Sequence, residues 1–147
     1  MNRTIPIVIA IALVVLTGCA TPAPTPTPGP ELASSAEDIV GIWHRIAPGS
    51  PFYILFLEDG TMHGSTNPEL VEDRPMEKFG FWFEGTQLYI KTISGPCPPD
   101  ITGIYKVHLV ATGNLRFELI QDECRGRATV LYGRGDYEGL VEWEPVP

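Results

Sequence analysis

The chain has 147 residues, with 10 Lys and Arg against 18 Asp and Glu and a formal net charge of −8. A surface this acidic repels nucleic acid and anionic headgroups, which sets aside polyanions as partners. The acidic residues are spread along the chain and not gathered in a tail, a pattern that reads as solubility before cation binding.

The N-terminus carries a single charge at Arg3, then an apolar run from Ile5 to Leu16 that ends in Leu16-Thr17-Gly18-Cys19. A charged start, a short apolar core and small residues at a cleavage zone are the anatomy of a secretory signal. The run is short for a bilayer span, which wants about 20 apolar residues. With cysteine in place of an Ala-x-Ala site, the segment resembles a bacterial lipoprotein signal, whose Leu-x-Gly-Cys pattern is the lipobox. The resemblance implies cleavage before Cys19, a diacylglycerol on its sulfur and acylation, typically by palmitate, of its new amino group. Two or three chains on one residue meet the requirement for stable anchoring. The expected site of action is therefore the cell envelope, lipid-anchored and facing the periplasm or the exterior. Loss of residues 1–18 removes one basic residue and leaves a net charge of −9.

Residues 20–30 alternate proline with alanine and threonine, which makes an extended, semi-rigid spacer of about 3.1 Å per residue. The expected organisation is a signal peptide over 1–18, the anchored cysteine and linker over 19–36, and one domain over 37–147. Ser34 to Val40 suits one helical turn, with Ser34 or Ser35 as N-cap and acids in the first turn. Strands then dominate. Ile42–Ile46 is the first; Phe52–Leu57 is apolar on both faces and ends at Asp59-Gly60, a hairpin signal. Thr61–Ser65 returns, and Thr66–Glu77, with two prolines, reads as a loop. Lys78–Glu84 sets Phe79, Phe81 and Phe83 on one face at period two, and Thr86–Ile93 runs back from Gly85. The stretch Ser94–Asp100 is too rich in Gly and Pro for a strand interior.

Gly103–Val110 puts Tyr105, Val107 and Leu109 opposite Lys106 and His108. Leu115–Ile120 likewise puts Leu115, Phe117 and Leu119 opposite Arg116 and Glu118. One apolar and one polar face is the mark of antiparallel sheet. A loop over Gln121–Arg127 and a last strand over Ala128–Tyr132 complete eight strands, with no clear helix in the tail. Tight turns alternate with long loops, so in a meander the tight turns share one end and the long loops the other. Eight strands avoid exposed edges by closing into a barrel. The predicted fold is an all-β, eight-stranded, antiparallel up-and-down barrel.

With Cys19 carrying lipid, Cys97 and Cys124 remain as the pair that an oxidising envelope allows to form a disulfide. Both lie in loops of the same rim. The closed loop of about 28 residues contributes roughly 3–4 kcal/mol in the chain-entropy account. No further ligands flank either cysteine as zinc requires.

The strand count, together with Gly41-Ile42-Trp43 after a helical turn and Leu131-Tyr132-Gly133-Arg134 near the end, resembles the lipocalins. That resemblance implies a first strand opening on Gly-x-Trp, and a base where Arg134 packs over Trp43 in a cation–π contact. It also implies a small apolar ligand inside the barrel. Two features depart from the family: Thr112-Gly113-Asn114 replaces the Thr-Asp-Tyr turn, and no long C-terminal helix is evident. The residues expected to line a ligand cavity are Phe79, Phe81, Phe83, Tyr105 and Phe117, which a filled β core would equally require. Trp82 and Tyr89, if outward, would cover a partner surface or the tail's Trp143.

His44, His63 and His108 stand alone, without metal-ligand spacing, and read as isolated surface residues. No nucleophile elbow or phosphate loop is present. The expectation is a non-catalytic protein without metal or cofactor that binds a small apolar ligand in its barrel; the alternative is a filled barrel acting as an envelope interaction or stress-related module without a ligand.

Overall fold

The computed structural model describes Gly29 and residues 31–147. Nine antiparallel strands form one sheet: β1 (Glu31–Leu32), β2 (Gly41–Ile46), β3 (Tyr53–Phe56), β4 (Thr61–Ser65), β5 (Glu77–Glu84), β6 (Gln87–Ser94), β7 (Thr102–Leu109), β8 (Leu115–Gln121) and β9 (Glu142–Pro145). β2 to β8 follow one another as a meander, except that β9 slots between β2 and β8. Arg45 pairs with Trp143, and Trp143 with Leu115, so β9 seals an eight-stranded barrel. β1 is an extra strand laid against the end of β7, with Glu31 opposite Leu109. The folded unit thus begins upstream of the expected boundary at 37.

Period-two alternation directs one face of each strand inward. Phe79 and Phe81 of β5, Leu88 and Ile90 of β6, Tyr105 and Val107 of β7, and Leu115 and Phe117 of β8 are all buried. Tight turns join β3 to β4, β5 to β6 and β7 to β8 at one end; at the first, Gly60 adopts a φ of +82° that favours glycine. The long loops gather at the other end. β3 and β4 are buried on both faces because loop 66–76 folds back over their outer side. Val71 is fully buried there, and its carbonyl lies 3.0 Å from His63 Nδ1. This covering accounts for the apolar outer face of Phe52–Leu57 and takes His63 off the surface, where sequence had placed it.

Both ends are plugged. At the tight-turn end, Ala33 and Ile39 are fully buried on either side of a 3-10 turn over Ala36–Asp38. The Asp38 carboxylate accepts the Ser34 and Ser35 backbone N–H groups at 2.8 and 3.0 Å. The Ser34 contact, ahead of the opposing effect of burial, holds this carboxyl below its usual range with help from Ser35. Ile39 in turn offers its carbonyl to Trp43 Nε1 at 2.8 Å.

At the long-loop end lies the main departure from the expected fold. Ala128–Tyr132 is not the eighth strand; it belongs to a helix, α1 (Arg125–Leu131), and the closing strand is the tail. A helix satisfies its own backbone hydrogen bonds and can cap a barrel mouth without a neighbouring strand. Arg127 and Leu131, one turn apart, point into the mouth and are buried. Arg45 of β2 donates to the carbonyls of Val130 and Thr129 at 3.0 and 3.3 Å, and Trp143 Nε1 to that of Leu131 at 3.4 Å. These donors meet carbonyls that a helix C-terminus leaves unpaired. Pro145 is tolerated in β9 because its pairing with β8 stops at Trp143.

Candidate functional site

The five residues expected to line a cavity all belong to the barrel's inner wall. Phe79, Phe81, Tyr105 and Phe117 are buried there, and Phe83 is half-buried. Their rings face other rings. Phe81 meets Phe56 edge-on at 5.1 Å, and Phe117 meets Tyr105 and Trp143 edge-on, both at 6.1 Å. The interior space left between Phe52, Met62, Phe79 and Leu131 is about 10 Å³. That is about the minimum for one water molecule, whereas small-molecule sites take roughly 300–1,000 Å³. The barrel is filled by its own side chains.

Arg127 stoppers the mouth. Its guanidinium lies 5.8 Å over the Phe79 ring and donates from Nε and Nη2 to Asp122 at 2.6 and 2.9 Å. Weaker contacts reach Thr92 Oγ1 at 3.4 Å and the Ile101 carbonyl at 3.3 Å. The Asp122 carboxylate also accepts the Cys124 N–H at 2.8 Å and the Tyr105 hydroxyl. Gly103 makes room for it, since a Cβ at that position would collide with the carboxylate. Burial opposes the charge on Arg127, but Asp122 outweighs it and the guanidinium holds its proton more tightly than usual. Burial, then Asp122, pushes the Tyr105 phenol far above its ordinary range. Glu77 lies beside the small cavity; burial raises its carboxyl, partly offset by the charge of Arg127. Both oxygens of Asp122 are engaged and its side chain is fully buried, so this cluster holds the plug in place.

Trp43 and Arg134 are not brought together. Trp43 is buried toward the tight-turn end, whereas Arg134 is exposed just after α1 at the other. Among the described residues the cation–π contact is that of Arg127 over Phe79. Cys97 and Cys124 form a disulfide with Cα atoms 5.7 Å apart, tying the β6–β7 loop to the start of α1. Cys19 lies outside the described residues. No group of three metal-ligating side chains occurs among the described residues. His44 stacks on Tyr53 at 4.8 Å and meets Glu144 at 2.9 Å, and His108 meets Glu118 at 2.8 Å.

The exposed apolar side chains lie outside the barrel. Ile46, Met76, Ile93, Ile120, Tyr137 and Leu140 are large apolar residues left exposed, and all sit at the long-loop end of their strands or in its loops. On the wall, Trp82 and Tyr89 are cross-strand partners whose rings stack 5.3 Å apart at 14°. They line a groove of about 500 Å³. The tail's Trp143 is fully buried inside, so Trp82 and Tyr89 do not cover it. Sequence reasoning missed Asp122, Arg127 and Leu131; the four-residue spacing of the last two was the available signal. In comparison with protein-family models, curated proteins and solved structures, nothing matches this chain.

Proposed function

We propose that the protein is a lipid-anchored envelope protein whose barrel is a filled, non-catalytic interaction module. The observation that carries this reading is the lumen: Trp143, Tyr105, Phe56, Phe79 and Phe117 are packed in it, and the cavity between Phe52, Met62, Phe79 and Leu131 holds about 10 Å³. A ligand of even modest size would have to displace the core. The turn before Gly41-Ile42-Trp43 and the closed eight-strand wall support a kinship with lipocalin-like barrels in architecture, with the ligand site given up.

Orientation follows from β1. Its antiparallel pairing with β7 places Glu31, opposite Leu109, at the tight-turn end. With Cys19 acylated, the proline-alternating composition of 20–30 favours a spacer between anchor and domain. The tight-turn end then faces the membrane and the long-loop rim, with its exposed apolar residues, faces away from it. Native mass spectrometry on protein extracted from its host's membranes tests both parts. The expected mass is the chain from Cys19 with its acyl groups and no other small molecule. A dissociable apolar compound would overturn the filled-module reading, and Cys19→Ala protein that stays in the membrane fraction would overturn the anchor.

A further inference from the structure

We propose that the Trp82–Tyr89 groove is a docking site for a basic, arginine- or lysine-bearing extended segment of a partner protein. The inference rests on reading the domain as an interaction module and names the chemistry of its partner. The floor is a row that crosses four adjacent strands: Trp82 pairs with Tyr89, Tyr89 with Ile104, and Ile104 with Gln121. Trp82 is 40% exposed, although an indole of this size is normally put to use inside a fold. Its N–H donates to Glu84 at 3.1 Å, and the Tyr89 hydroxyl donates to Gln87 at 3.0 Å. The polar edges of both rings are thus bound locally, and what the pair offers a partner is its π faces.

The rim is acidic. Asp100 and Glu123 line the same groove, and Glu84 stands at the Trp82 end. Lys91, in register with Thr102, and Lys106, paired with Glu118, are on the same outer face, but neither lines the groove, whereas Asp100 and Glu123 do. A cation flanked by aromatic faces and carboxylates gains from both. Arginine suits the site best, because its planar guanidinium stacks on a ring while its fork meets a carboxylate. The net charge of −8 would draw a basic segment in from a distance.

The site is also held in shape before anything binds. Asp100 belongs to the loop of Cys97, and Glu123 immediately precedes Cys124, so the disulfide locks the two acidic arms to each other. Asp122 is turned inward onto Arg127, which fixes the backbone that presents Glu123. A preformed site of this kind loses little freedom on binding.

The test is titration of the detergent-solubilised full chain with hexa-arginine by isothermal calorimetry in every variant, with fluorescence as a second readout in chains that keep Trp82, since Trp43 and Trp143 are buried. The expected result is saturable binding that weakens with salt and falls at least tenfold in Trp82→Ala. Asp100→Asn and Glu123→Gln, both at exposed positions, should weaken it several-fold without disturbing the fold, while Glu72→Gln in the β4–β5 loop leaves it unchanged. Equal losses in Glu72→Gln and Glu123→Gln would mean diffuse charge attraction and overturn the site. Binding of a neutral oligosaccharide such as chitohexaose in place of hexa-arginine would overturn it in favour of a sugar site. If hexa-arginine fails while cross-linking captures a protein at Tyr137 and Leu140, this inference falls and the interaction-module reading stands.

Discussion

Replacing Asp122 by alanine puts the plug under the sharpest strain. The ion pair it forms with Arg127 is out of water, with side-chain exposures of 1% for Arg127 and 0% for Asp122. Asp122→Ala would leave the guanidinium with only two weak contacts, to Thr92 and the Ile101 carbonyl. It would also strip an acceptor from Tyr105 and from the Cys124 N–H. Breaking a buried pair on one side costs about 3–5 kcal/mol, because a charge is stranded. A small domain has about 5–15 kcal/mol in total, and at about 4 °C per kcal/mol the melting temperature should fall by about 12–20 °C. Urea unfolding followed by tryptophan fluorescence, with the disulfide intact, measures this. The double variant Asp122→Asn with Arg127→Met should cost less than Asp122→Ala alone, since no unpaired ion remains. A loss below about 1 kcal/mol for Asp122→Ala, the range of a surface pair, would show that Arg127 reaches water and that the mouth is not sealed.

Trp43→Ala should destabilise the domain by roughly 3–5 kcal/mol, because it empties a buried indole site and frees the Ile39 carbonyl; near-normal melting would place that ring in solvent. Glu77→Gln should raise the melting temperature near neutral pH and make no difference below the ordinary glutamate value of 4.5. The sign follows from the raised carboxyl: its contribution to stability is full below the unfolded value and is lost as pH rises through the folded one. A melting curve for Glu77→Gln that parallels the parent at every pH would contradict it. Replacing Cys97 and Cys124 together by alanine should cost roughly 3–4 kcal/mol for a sequence separation of 27; a smaller effect in urea unfolding would mean that the unfolded chain was already constrained there.

Much of the barrel was legible because its walls obey one rule. Phe79 with Phe81, Tyr105 with Val107, and Leu115 with Phe117 announce strands by period two, and Asp59-Gly60 announces its turn. The long-loop rim followed from turn lengths, and with it the pairing of Cys97 and Cys124. What failed was local propensity at the end of the chain. Thr129 and Val130 are β-branched and favour strand in isolation, but the arginines at 45 and 127 and the disulfide at Cys124 select a helix. Gly139 and Pro145 hid the strand that carries Trp143, because proline is harmless only once the strand's missing partner is known.

The candidate site was legible in a narrower sense. The inward aromatics were identified correctly, yet whether they line a cavity or fill a core depends on the volume supplied by Trp143, Arg127 and Leu131. Those side chains arrive through tertiary contacts that no window of sequence contains. Trp82 and Tyr89 were readable as outward, because they sit out of phase with Phe81 and Phe83 and with Leu88 and Ile90. The ion pair of Arg127 with Asp122 was not, since opposite charges five residues apart in a loop ordinarily face solvent.

The tail closes and fills the barrel, and nuclear Overhauser contacts in the intact protein test that most directly. Backbone contacts from Trp143 to Arg45 on one side and to Leu115 on the other are predicted, with the indole close to Phe117. Contacts from β2 to residues 128–132 instead, with Trp143 near its free-indole shift, would contradict it.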